Sequence, residues 1–271
     1  MTRMKKIILS FMMMLLVSVS AFAESGFEAN LTVPLGAGIG IQTFDPIKDK
    51  LTDEQIKSLK RETDAGFDFG VLAQVGYMIQ VADGMGISIL GEIGYSRDSF
   101  STKYKRRNQT GASEYTDNKY YTHETTTFDS IQIGLLPKFN MGAFSIGLGG
   151  GVKIPLAGTY TETTRIDRSE QGSENAPYAA GSIYKADLKN IKDGFNPTVI
   201  PYVKLTADYS IFLTEQFALN LGIYAGYDFG MNYKKYTTDD IKLGNEKIAN
   251  SYNISSFDIG AQIGLRFGPK A

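Results

Sequence analysis

The sequence has no cysteine, no tryptophan and one histidine, His123, and beyond its first residues it has no apolar run of bilayer-spanning helix length. Without cysteine there is no disulfide framework, no cysteine-anchored lipid and no thiolate metal site. One histidine supplies no zinc ligand set, and no serine or aspartate is tied to it by spacing, so the sequence identifies no catalytic triad. Charge of either sign is also lacking in excess: 28 Lys and Arg face 29 Asp and Glu, a net charge of -1. Nothing in that balance draws the chain to nucleic acid.

The one long apolar run lies at the start. Arg3, Lys5 and Lys6 precede residues 7–19, and Ala21-Phe22-Ala23 forms a small-x-small cleavage pattern. The run is too short for the ~20 residues of a spanning helix, so residues 1–23 are expected to be an export signal and residues 24–271 the mature domain. Removing three basic residues (28 − 3 = 25 against 29) leaves that domain near −4.

The rest of the hydrophobicity alternates at period two, the spacing of a strand with one apolar face. Phe27 to Ile41 is apolar at every odd position, and so is Phe257 to Phe267. Between them come Phe67–Val81, Ile87–Tyr95, Ile131–Leu135, Phe144–Leu156, Val199–Tyr209 and Phe217–Phe229, giving eight segments. Their connections differ by side: polar stretches 43–65, 97–125, 157–196 and 231–255 alternate with tight turns near 82–86, 140–142 and 213–216. Inside the first long connection, Thr52 with Gln55 signals a capped helix that Leu51 and Ile56 would staple.

Strict alternation, an even count and all long loops at one end predict an all-β fold: an eight-stranded antiparallel up-and-down barrel spanning a membrane, with both termini on the turn side. Outward aromatics fall into two girdles, Phe27, Phe144, Tyr209, Phe217 and Phe267 at the turn side and Phe67, Phe69, Tyr95, Tyr227, Phe229 and Phe257 at the loop side. Parity turns Glu28, Asp68, Glu92, Lys153, Lys204, Asp208, Asp228, Asp258 and Arg266 into the lumen. There Glu28 is placed to meet Arg266, and Glu92 to meet Lys153 or Lys204. Inward glycines such as Gly36, Gly149 and Gly222 either permit curvature or hollow the lumen. Gly36-Ala37-Gly38-Ile39-Gly40 lacks the following helix of a phosphate loop. Loop carboxylates Asp45, Asp49, Asp239 and Asp240 could bind calcium only weakly, and no metal or cofactor is expected.

With its signal, its eight segments and a final strand bearing Phe257 and Phe267, the chain resembles the small outer-membrane barrels of diderm bacteria, the OmpA-, OmpX- and OmpW-like families. The final strand looks like the signal read by the barrel-insertion machinery, although Gly268-Pro269-Lys270-Ala271 follows where those families end on the aromatic. The resemblance implies an outer-membrane, monomeric protein embedded in lipid; enzymes exist on this scaffold, but with no partner tied to His123 by spacing a non-enzymatic protein is expected. Its surface loops, carrying Tyr104, Arg106, Arg107, Tyr120, Tyr121, Tyr160, Arg165 and Tyr184, would meet an external ligand or host surface, Tyr and Arg being the residues enriched in binding patches. The alternative implied is a narrow, OmpW-like passage for small molecules.

Overall fold

Side chains that alternate between apolar and polar stand stably in a membrane only if every backbone group on both edges is paired, which a closed ring provides. In the computed structural model, which describes residues 25–109, 117–167, 178–196, 198–234 and 249–271, the strands do close. They are β1 (Gly26–Pro46), β2 (Glu62–Thr63), β3 (Ala65–Ala82), β4 (Met85–Gln109), β5 (Asp117–Met141), β6 (Phe144–Asp167), β7 (Tyr178–Asp187), β8 (Ile200–Phe212), β9 (Phe217–Asp228) and β10 (Ala249–Phe267). Each of β1, β3, β4, β5, β6, β8, β9 and β10 pairs antiparallel with the next, and β10 returns to β1. The expected export signal, residues 1–23, lies outside the described residues.

The ring has a measurable stagger. Stepping across paired residues from Gly26 leads through Met78, Ser88, Lys138, Gly147, Thr206, Tyr224 and Gly260 to Gly36, ten residues above the start (36 − 26). Ten residues climb ~33 Å while eight strand spacings cover ~38 Å, which tilts the strands by about 40°. At that tilt the outward stretch from Phe67 to Tyr77 rises about 25 Å along the axis, the height of an outer-membrane apolar band. Leu31, Leu35, Val75, Ile93, Leu135, Leu148, Leu205 and Ile263 are exposed within it. Among the described residues no helix is long and apolar enough to cross a membrane; strands do the crossing.

The turn side follows local chemistry. Asp83-Gly84 joins β3 to β4 as a two-residue hairpin loop, Ala82 pairing with Met85, and Gly84 takes the positive φ of 71° such turns need. Gly142, φ 58°, does the same between β5 and β6.

The loop side departs from expectation. In the described parts of 97–125 and 157–196, β4, β5 and β6 run on past the belt, and β7 pairs with β6 to widen the sheet. Their Thr- and Tyr-rich stretches favour strands, but polar side chains such as Ser99, Ser101, Thr102 and Thr122 are buried here alongside the apolar ones, so the apolar alternation fades where the pairing does not. Two short helices lie in this outer region, α1 (Asp53–Leu59) and α2 (Leu188–Gly194). Thr52 caps α1 in a reciprocal box with Gln55, and Leu51, Leu59, Phe44 and Ile56 pack together beside it.

Candidate functional site

From the turn side upward, the lumen is filled by layers of bonded side chains. Lowest, Glu28 meets Arg266 at 3.4 Å and accepts from Ser88 (2.5 Å) and Asn30 (3.1 Å). Above it, Glu92 accepts from Gln74 (2.8 Å), Gln132 (2.9 Å), the Tyr202 hydroxyl (2.9 Å) and Lys204 (2.5 Å). Of the two lysines expected near Glu92, Lys204 is thus the partner. Lys138 donates to Asp208 at 2.9 Å, and Gln262 donates to the same carboxylate. Of these bonds, those from Ser88 to Glu28, from Tyr202 and Lys204 to Glu92, and from Lys138 and Gln262 to Asp208 link strands that are not neighbours in the ring, so they brace it across its width.

Inward glycines make room for these groups. A Cβ on Gly134 would sit 2.1 Å from the Tyr202 hydroxyl, and one on Gly36 would sit 2.4 Å from that of Tyr224. Parity alone could not separate this outcome from a hollow lumen, because it says nothing about which long side chain leans over which gap.

Higher still, Lys153 bridges Asp98 and Asp228 at 2.7 Å each. Asp258 accepts from Ser256 (2.5 Å) and Asp68 from the Ser99 amide (2.7 Å). These groups, with Tyr202 and Tyr224, line a cavity of about 50 Å³, room for very few waters. Asp98 and Lys138 escaped the sequence reading, the first because its strand outlasts the belt, the second because it lies beyond Pro137, where alternation looked broken.

One inward step above the aspartates, the lining turns apolar. Phe100, Phe128, Ile191, Ile200 and Met231 form a buried cluster with Phe195 and Ile254 against it. Phe128 meets Phe100 and Phe195 edge-on at 5.8 and 5.7 Å. On one side the mouth is also pinched: Asp64 bridges Gly40 and Ser101 through backbone bonds of 3.0 and 3.2 Å, and a Cβ on Gly40 would lie 2.0 Å from the Ser101 oxygen.

On this apolar floor stands a cup of about 120 Å³, lined by Arg61, Phe100, Glu124, Thr126, Tyr160, Tyr233, Tyr252 and Ile254. Cross-strand register builds one wall: Phe100, Thr126, Tyr160 and Tyr184 oppose one another in a row over β4, β5, β6 and β7. The adjacent row supplies Thr102, Glu124, Glu162 and Ser182. The other wall is Tyr252 of β10 and Tyr233, whose rings meet at 5.0 Å. Arg61 reaches Glu124 at 2.7 Å and lies 4.0 Å over the ring of Tyr104. The Tyr160 hydroxyl is shared between Glu124 (3.2 Å) and Glu162 (3.3 Å). Burial first, and then these two carboxylates, push its phenol well above its ordinary pKa, so it stays a donor.

The eight binding candidates therefore sit on strands rather than loops, and the structure does not gather them into one patch. Tyr160 and Tyr184 come together, ring centroids 6.1 Å apart. Tyr104 is buried beneath Arg61. Tyr121 lies under Lys105 at 5.7 Å, and Arg165 is exposed on β6. Arg106 and Arg107 fall on β4 and Tyr120 on β5, but their side chains lie outside the described residues. Arg61, Glu124, Tyr233 and Tyr252 carried no sequence signal as a group, since they come from four separate segments. His123 has a partner that spacing did not disclose, Asp64 at 2.6 Å. Asp45 bonds Asn250 at 3.1 Å, while Asp239 and Asp240 lie outside the described residues.

The girdle aromatics point outward. Phe67, Tyr209, Phe229 and Phe257 are well exposed, and Phe69 touches Phe67 and Tyr95 with centroids 6.1 and 5.9 Å apart. Phe27, Phe144, Phe217, Tyr227 and Phe267 share that face with partial exposure.

No protein-family model and no curated protein matches the sequence. Among solved structures the chain is similar to Neisserial surface protein A (NspA), at 11% identity over 90% of this chain and 98% of that one, with a TM-score of 0.25. It is similar to Ail of Yersinia pestis in complex with the heparin analogue sucrose octasulfate, at 12% identity over 89% and 99%, TM-score 0.28. The outer membrane protease OmpT of Escherichia coli is similar at 9% identity over 89% and 96%, TM-score 0.32. The closed ring, its stagger and its apolar belt carry the assignment themselves: the chain is a small eight-stranded transmembrane β-barrel.

Proposed function

We propose that the protein is a non-conducting, non-enzymatic outer-membrane scaffold whose task is to present its outer face to an external ligand. The observation behind this reading is the obstruction of the lumen at every level. Glu28 and Arg266, then Glu92 and Lys204, then the Lys153 cluster, and finally the plug around Phe100 and Phe128 occupy it in turn. An ion entering such a lumen would have to break buried ion pairs and then cross an apolar layer, and each is costly. Function then falls to the extended outer sheet and its cup, a rigid platform of the kind that binding surfaces use.

The test is conductance of the folded protein in planar bilayers. Silence from wild type supports a sealed scaffold. Stepwise current from wild type overturns it in favour of a narrow passage.

A further inference from the structure

We infer that the cup at the outer mouth binds an organic ammonium group, seated among the rings of Tyr160, Tyr233, Tyr252 and Phe100 with Glu124 beside it. The inference rests on reading the outer face as an interaction surface, and it names the ligand chemistry. Three observations converge on a cation with a carbon-covered surface.

The first is the wall itself. Four aromatic rings line one small space, and aromatic faces attract cations through their quadrupoles, most strongly where water is excluded. The rings are already braced. Tyr233 packs on Phe195 at 4.5 Å and on Tyr252 at 5.0 Å, Tyr252 on Phe44 at 6.1 Å, and Tyr160 on Tyr184 at 6.1 Å. A ligand thus meets rings held by their neighbours and loses little to ordering them.

The second is charge. Arg61 is engaged by Glu124 and by Tyr104, so its positive charge is compensated inside the cup. Glu162 adds a second carboxylate through the Tyr160 hydroxyl. Around the cup two carboxylates face one guanidinium, and the resulting field favours cations and repels anions.

The third is size. A cavity of ~150 Å³ lined by apolar groups takes a benzene ring, so a cup of about 120 Å³ suits a trimethylammonium head. A pyranose is larger and calls for free hydrogen-bonding groups along a flat platform, whereas Arg61, Glu124 and the Tyr160 hydroxyl here are already bonded to one another.

The experiment uses folded protein purified from outer membranes, with barrel closure verified by heat-modifiable gel migration. Choline chloride is titrated calorimetrically against its uncharged isostere 3,3-dimethylbutan-1-ol and against methyl glucoside. We expect saturable choline binding, at least about tenfold weaker binding of the alcohol, loss of choline binding in Tyr160→Leu and retention in Tyr160→Phe. Tyr184→Leu, at the exposed lip, supplies a variant with little folding risk and should weaken choline severalfold. Absence of choline binding, equal binding of choline and the alcohol, or preferential binding of the glucoside each overturns the proposal. The same preparation is tested for conductance. Current together with choline binding sinks the sealed-scaffold reading alone, and silence without choline binding sinks this one alone.

Discussion

Glu92 shows how much can hang on one carboxylate. It accepts four hydrogen bonds from β3, β5 and β8, and replacing it with alanine strands the Lys204 ammonium and the Tyr202 hydroxyl together. Losing one partner of a buried ion pair typically costs about 3–5 kcal/mol. Urea unfolding of the barrel in lipid vesicles should show a loss of that size for Glu92→Ala, and a smaller one for Glu92→Gln, which keeps the shape. Tyr160 carries a pH dependence of definite sign. Its phenol is held protonated in the fold, above its ordinary value of 10.0. The stability it contributes is complete below pH 10 and is lost as pH rises further, once the unfolded chain ionises this tyrosine and the folded one does not. Tyr160→Phe should flatten that alkaline decline in thermal melts. At this scale the sequence was partly legible. Which way Glu28, Asp68 and Arg266 face follows from parity alone, but which lysine Glu92 takes depends on the tilt that brings β4 opposite β8, and no spacing along the chain encodes that.

Among the elements, α1 was readable because its instructions are local: Thr52 and Gln55 bond each other within one turn. Thr52→Ala should loosen this helix by about 1 kcal/mol. Hydrogen exchange should quicken at residues 53–59 and stay unchanged in the ring strands, because α1 lies outside the ring. The outer halves of β4, β5 and β6 were illegible for the opposite reason. Their stability comes from cross-strand partners such as Thr122 with Thr164, hydroxyl to hydroxyl at 3.0 Å, and a strand that buries hydroxyls among its apolar side chains leaves no hydrophobic period to read. The cup inherits that difficulty, since a row such as Phe100, Thr126, Tyr160 and Tyr184 exists only once four strands are in register.

For the whole molecule, the outer surface of the ring is solvated by lipid, and its middle is the costly place for charge. Leu205 faces out from the centre of β8. Leu205→Arg should lower unfolding free energy in vesicles by about 2–4 kcal/mol, the penalty for arginine near the bilayer midplane. Glu215→Arg, in the exposed turn between β8 and β9, should change it by well under 1 kcal/mol.

The ten-residue climb around the ring also bears on assembly fidelity. A slip of two residues at any seam keeps every apolar side chain facing lipid, so the belt cannot detect it. Such a slip does alter the total, from ten to eight or twelve (ten minus or plus two), and with it the tilt and bore of the whole ring. The ion pairs that reach between non-adjacent strands, Lys204 to Glu92, Lys138 to Asp208 and Lys153 to Asp98, have lengths that suit one bore. They act as an internal gauge: an error at one seam is felt as broken charge pairs on the far wall, and mispaired barrels are left with buried, unneutralised charge.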